Sequence, residues 1–142
     1  METTMETMSA KSDKPAAPTA KQIWIGRILS GLTVLFLIFD SVVKLAQSHW
    51  ALEATVRLGY SEQVVLPLGI VLLASTLLYV LPRTSVLGAI LLTGYLGGAT
   101  ATHVRVGQPF VFPIVFGVLV WLGLWLRDAR LRALIPARRS EP

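Results

Sequence analysis

Four long apolar stretches, divided by short polar or charged breaks, dominate the chain: Ile23 to Leu45, Val64 to Leu81, Val86 to His103 and Phe110 to Leu126. A helix rising 1.5 Å per residue needs about 20 residues to cross a hydrocarbon layer about 30 Å thick, and the stretches have close to that length. The breaks carry the signals of helix ends. Pro67 falls in the first turn of the second stretch, where a missing N–H does no harm, and Pro82 stops it. Pro82, Arg83, Thr84 and Ser85 make a short turn, so the second and third stretches are expected to be antiparallel neighbours. Gly107 to Pro109 turns the chain into the fourth, with Pro113 tolerated near its start and Arg127 closing it. The pattern predicts an all-α transmembrane four-helix bundle.

The flanking segments read differently. Residues 1–20 hold Ser, Thr, Lys, Pro15 and Pro18 and few large apolar side chains, too little to bury for an ordered fold, so a disordered tail is expected there. A cleaved signal peptide competes with a first crossing at Ile23, but the apolar run is long and ends in charged Asp40 and Lys44. The membrane domain is therefore placed at 21–133, followed by a basic tail at 134–142. Between the first two stretches, Gln47 to Gln63 carries Leu52, Val56 and Leu58 beside Glu53 and Arg57, the pattern of a short surface helix with one ion pair. No sequence repeat stands out.

Composition agrees with lipid as the solvent. Of 142 residues, 54% are hydrophobic and 15% charged, against roughly 25% charged in soluble domains. The net charge of +5 raises the question of nucleic acid, which the position of the charges answers. Lys11, Lys14, Lys21 and Arg27 lie at the start of the first stretch, Arg83 between the second and third, and Arg127, Arg130, Arg132, Arg138 and Arg139 after the fourth. Only Lys44, Arg57 and Arg105 fall on the other side. Under the positive-inside rule both termini are expected in the cytoplasm, and the basic balance reports topology, not nucleic-acid binding. Trp24, Trp121 and Trp125 near the cytoplasmic ends suit the headgroup boundary. The chain has no cysteine, which excludes disulfides, thiolate metal sites and thiol chemistry of its own.

Polar residues gather near the opposite face. Asp40 and Lys44, four apart, share a helix side and can neutralise one another, which matters at membrane depth because an unpaired charge there is costly. The alternative is that both sit at the boundary, with Lys44 snorkelling into headgroups. In the third stretch Tyr95, Ala99 and His103 also share a face, and His103 lies as far along from Val86 as Asp40 does from Ile23. A polar cluster of Asp40, Lys44, Tyr95, His103 and Arg105 near the external mouth is expected, covered by His49. Such a cluster can bind an anionic or quinone-like headgroup, relay protons, or simply join helices through buried hydrogen bonds. Gly94, Gly97 and Gly98 in the same stretch predict close helix packing, with a pocket floor or a subunit contact as the alternatives, and Thr93, Thr100 and Thr102 bonding across helices or to their own carbonyls. Two separated histidines without a Glu-x-x-His pattern do not make a metal site, and no axial pair for haem lies at the membrane centre. No catalytic triad, nucleophile elbow or phosphate-cradling loop is present, so no catalytic residue is assigned.

The segments Gly26-Arg27-Ile28-Leu29 through Asp40-Ser41-Val42-Val43-Lys44, and Thr93 through Arg105 with its glycine-rich course ending in His-x-Arg, resemble the DoxX-like membrane proteins over Lys21 to Ala133. The resemblance implies a four-helix membrane bundle, commonly of a bacterial plasma or inner membrane. The family name derives from subunits of a thiosulfate:quinone oxidoreductase, and some relatives are linked to oxidative-stress complexes. Three functions are consistent with the residues. A non-catalytic subunit or assembly factor, held to a membrane-protein partner or to a second copy, comes first. A redox-associated component binding a quinone at the polar cluster follows, and a small oligomeric transporter or channel is third.

Overall fold

The computed structural model describes residues 16–135, so most of the expected tails, 1–15 and 136–142, lie outside the described residues. Helix α1 (Ala20–Leu45) begins at a capping box in which Thr19 Oγ1 accepts from the Gln22 amide and Gln22 Oε1 accepts from the Thr19 amide. Past its end, Gln47 takes a left-handed conformation, φ 48°, that turns the chain into α2 (His49–Arg57), capped by Ser48. This is the surface helix expected in the loop, and Arg57 bonds Glu53 as the spacing requires. A 3-10 turn at Glu62–Val64 leads into α3 (Val65–Val80), followed by α4 (Ser85–Arg105) and α5 (Val111–Arg127). Asp128 then caps a short α6 (Ala129–Leu134), which the sequence pattern did not suggest. No strand occurs among the described residues.

The four long helices form a square. α1 packs along α3 and α5, α4 packs along the same two, and α1 and α4 face each other across the diagonal. Leu37, Leu72, Tyr79, Ala89, Leu92, Val120 and Leu124 fill the centre. The outer surface is as apolar as the inside, with Leu32, Leu35, Phe39, Ile70, Val71, Ile90 and Val118 all exposed. Such a surface is stable only in lipid, because exposed patches of this extent in water drive association. α1, the segment Glu62–Val80 and α4 are each long and apolar enough to cross a membrane, and α5 is a shorter apolar helix of 17 residues.

Inside the bundle, hydroxyls satisfy themselves locally. Thr33, Ser41, Ser75 and Thr76 each donate to the carbonyl one turn back, so they occupy interior positions without an orphaned donor. Tyr79, fully buried, donates its hydroxyl proton to Val120 O at 2.8 Å, which leaves its oxygen to accept from Ser30, 3.0 Å away. α1, α3 and α5 are thereby tied at one level. The Arg127 guanidinium lies over the Tyr79 ring, 5.4 Å from its centroid.

The closest helix approaches within the chain lie outside the glycine-rich run of α4. A Cβ placed on Gly94, Gly97 or Gly98 meets nothing within 4 Å, so these glycines do not mediate packing between helices of this chain. That role belongs to Gly88, pressed against the backbone of Leu78 and Tyr79, and to Gly26 and Gly123, whose added Cβ atoms meet Gly123 O at 2.9 Å and Ser30 Oγ at 2.5 Å respectively. The reason is geometric: α3 and α4 meet closely next to their connecting turn, whereas the Gly94–Gly98 level borders a space.

α2 is held to the bundle by few bonds. Thr102 Oγ1 donates to Gly98 O and accepts from the Tyr60 hydroxyl, 3.0 Å away, while Arg105 Nη2 donates to Leu58 O at 3.2 Å. Removing one such hydroxyl with Tyr60→Phe costs about 1 kcal/mol. If opening of α2 is local, its amides should then exchange with deuterium about fivefold faster with little change in the rest of the bundle. Exchange mass spectrometry checks this, and equal acceleration in α1 and α3 would show that α2 does not open separately.

Candidate ligand-binding cavity

The space beside Gly94 and Gly98 is a cavity of about 650 Å³ at the α2 end of the bundle, between the diagonal helices α1 and α4. Its size lies within the roughly 300–1,000 Å³ of sites that hold drug-sized molecules. α1 contributes Phe36, Leu37, Asp40 and Lys44; α4 contributes residues from Gly94 to His103; α5 contributes Phe112, Pro113 and Phe116; and Leu68 enters from α3. α2 roofs it with Trp50, Ala51, Ala54 and Thr55, followed by Leu58 and Tyr60 just past its end.

Each polar group has a definite state of bonding. One turn apart on α1, Lys44 Nζ donates to Asp40 Oδ1 at 2.5 Å, and the two side chains are only 16% and 28% exposed. They form a neutral pair at the cavity wall and still present free acceptor and donor positions, since a carboxylate accepts at two oxygens and an ammonium carries three protons. His103 Nδ1 lies 2.7 Å from Ala99 O. A carbonyl can only accept, so Nδ1 carries the proton and neutral His103 keeps Nε2 as an acceptor. Tyr95, half-buried, adds a phenol. Deeper in the bundle the lining turns apolar, with Leu37, Leu96 and Phe116, and Phe36, Phe112 and Phe116 pack as a cluster with ring centroids 4.4 to 5.3 Å apart. The cavity thus has a polar belt near α2 and an aromatic inner wall.

Four residues of the expected cluster, Asp40, Lys44, Tyr95 and His103, line this one space. Arg105 is not among the lining residues: its guanidinium donates to Leu58 O and lies over the Tyr60 ring, both of which line the cavity, so it braces the wall from behind. His49 is not the cover either, its side chain being 95% exposed beside Glu53, and Trp50 takes that place. The phenylalanine trio was not singled out in the sequence, where the four-residue spacing of Phe112 and Phe116 was its one visible sign. Gly94 and Gly98 belong to the cavity lining, and Gly97 faces the exterior.

Comparison with known proteins gives one family. A family model described as the DoxX-like family matches residues 28–123, a span that contains every residue lining the cavity. No curated protein and no solved structure matches significantly.

Proposed function

Because the chain belongs to the DoxX-like family and is an all-helical membrane protein, we propose that it binds a small lipophilic molecule with a polar head, such as a quinone, in the cavity of its outer half. The observation that carries this reading is the convergence of Asp40, Lys44, Tyr95 and His103 on one space whose remaining walls are apolar and aromatic. A head with carbonyl or hydroxyl oxygens finds donors at Lys44 and Tyr95 and an acceptor at His103 Nε2. A planar ring finds Phe36, Phe112 and Phe116, where stacked or edge-on aromatic contacts contribute about 0.5–1.5 kcal/mol each beyond burial. Asp40 and Lys44 already offset each other's charge, which suits holding an uncharged head. The chain then crosses the cell membrane four times, with domain bounds of 21–133, α5 as the fourth crossing and both termini cytoplasmic, as its charge asymmetry requires.

A second reading, that the protein serves as a subunit or assembly factor of a larger membrane complex, is supported by Gly97. Its Cβ position is open and faces outward, leaving room for a helix of a partner or of a second copy. The two readings are compatible. A transporter finds less support, because Leu72, Leu92, Val120 and Leu124 close the bundle beneath the cavity.

The test is binding of a short-chain quinone to protein in lipid nanodiscs. Saturable binding is expected, weakened about fivefold to tenfold by His103→Ala through loss of one hydrogen bond, and more strongly by Phe116→Trp, which fills the inner wall. Absence of saturable binding by the unaltered protein, or binding indifferent to both substitutions, counts against the proposal.

A further inference from the structure

Gly94 and Gly98 line the cavity and are exposed, and each stands two residues, about 200° of helix, from buried Leu92 or Leu96, which places the pair on the side of α4 turned away from the core. A Cβ at either position would touch nothing within 4 Å. At this level the flank of α4 is bare backbone, and the wall between cavity and exterior is missing the side chains that would close it. Four residues apart, the two glycines are stacked on one side of the helix and make a gap along its axis. Helical periodicity continues the same flank downward to Leu91 and Leu87, both exposed and both outside the cavity lining. The gap therefore opens onto an apolar track that runs from the middle of α4 towards its Ser85 end, while the polar belt of the cavity lies above it at Asp40, Lys44 and His103.

Resting on the ligand-binding reading above, we infer that Gly94 and Gly98 form a side port through which the tail of the ligand passes from the cavity into the bilayer. The ligand class is thereby narrowed to single-chain amphiphiles with a small uncharged polar head, drawn laterally from the membrane. The head lodges at the polar belt, where the charge of Asp40 is already offset by Lys44 and a charged head would unbalance the pair. The ring or first carbons pack on Phe36 and Phe116. The remaining chain leaves between the glycines and lies along Leu91 and Leu87, where it exchanges contact with lipid tails at little cost. A space of about 650 Å³ matches a head and the start of a chain. It need not enclose the whole molecule, since the chain continues outside. Gly94 and Gly98 set the selectivity for chain-bearing ligands: any larger side chain narrows the port.

Photoreactive dodecylphenols test the port in nanodiscs, with a diazirine placed either on the first carbon of the chain or on the last. The head-proximal probe is expected to label the cavity around Tyr95 and Ala99, the chain-end probe to label Leu91 and Leu87, and unlabelled dodecylphenol to suppress both. Gly98→Leu should weaken dodecylphenol at least about tenfold relative to ethylphenol, which has no tail to thread. Leu91→Asn lies outside the cavity and should weaken only the long-chain compound. Chain-end labelling confined to Leu37 and Leu96 inside the cavity, or equal loss of both phenols in the two variants, would overturn the port while leaving ligand binding intact. If the unaltered protein shows no saturable labelling by either probe, the ligand-binding reading itself falls and the port with it.

Discussion

Gly88→Ala is expected to prevent the bundle from forming, whereas Gly97→Ala leaves it folded and slightly more stable. The two changes add the same methyl group to the same helix, so the difference isolates position. At Gly88 the added Cβ falls on the backbone of the preceding helix, 2.7 Å from Leu78 C and nearer still to the nitrogen and Cα of Tyr79. A side chain can rotate away from such an intrusion, but backbone can only shift with its helix. α3 and α4 are joined by the few residues between Val80 and Ser85 and have little room to separate at that end. Any shift also moves Tyr79, whose hydroxyl joins Ser30 and Val120 O. Overpacking of cores commonly costs about 1–3 kcal/mol where side chains can adjust. Rigid backbone contact puts Gly88→Ala above that range, a large part of the total of roughly 5–15 kcal/mol that holds a domain folded. Gly97→Ala instead gains roughly 0.5–1 kcal/mol, because alanine loses less backbone entropy in a helix. Yield and thermal unfolding of the two variants in one detergent check this. An undiminished melting temperature for Gly88→Ala would mean that the α3–α4 approach is looser than described.

The second large effect concerns the ion pair. Asp40→Leu leaves the largely buried Lys44 ammonium at the cavity wall without its counter-ion. Breaking a fully buried pair costs about 3–5 kcal/mol. Here the side chains retain some exposure, 16% for Lys44 and 28% for Asp40, so a loss of about 2–3 kcal/mol is expected. Lys44→Leu leaves the carboxylate stranded and should cost a similar amount. The double variant Asp40→Leu, Lys44→Leu removes both charges together and should recover most of the stability, since an apolar pair of similar volume often equals a buried ion pair. Melting temperatures of the four proteins in the cycle yield the coupling. Ligand binding behaves differently in the same set: the double variant keeps the fold but lacks the polar belt, so it should bind a polar-headed ligand no better than the single variants. Strictly additive losses of stability in the double variant would show that the two groups do not interact, as a surface location with Lys44 in the headgroups would require.

Legibility varied with the distance in sequence over which each feature is decided. The Asp40–Lys44 contact was readable because a helix brings residues four apart together whatever else the chain does. The shared depth of Asp40 and His103 was readable from equal counts along two parallel helices, and both line one cavity. The place of Arg105 was not, since two residues beyond His103 the helix has turned by more than half a revolution and the guanidinium reaches Leu58 and Tyr60 instead of the cavity. The glycine-rich run leaves its role open for a related reason. Gly94 and Gly98 carry the small-xxx-small spacing that suits close packing, yet spacing says only that two glycines share a side of a helix, not what lies opposite.

The sequence by itself determined that this is a membrane-embedded bundle of helices, where the four long helices start and stop to within a few residues, and which charges pair within a turn. Solvation, capping and the helical repeat act on neighbouring residues and need no knowledge of the rest of the chain. Only the tertiary structure decided that α1 and α4 stand apart across a diagonal, that Gly88 instead of Gly94 takes the close approach, and that α2 roofs a cavity walled by three phenylalanines from two helices. Those outcomes follow from how four bulky surfaces settle against one another at once, and a gap between them is a property of the whole arrangement that no single stretch of residues contains.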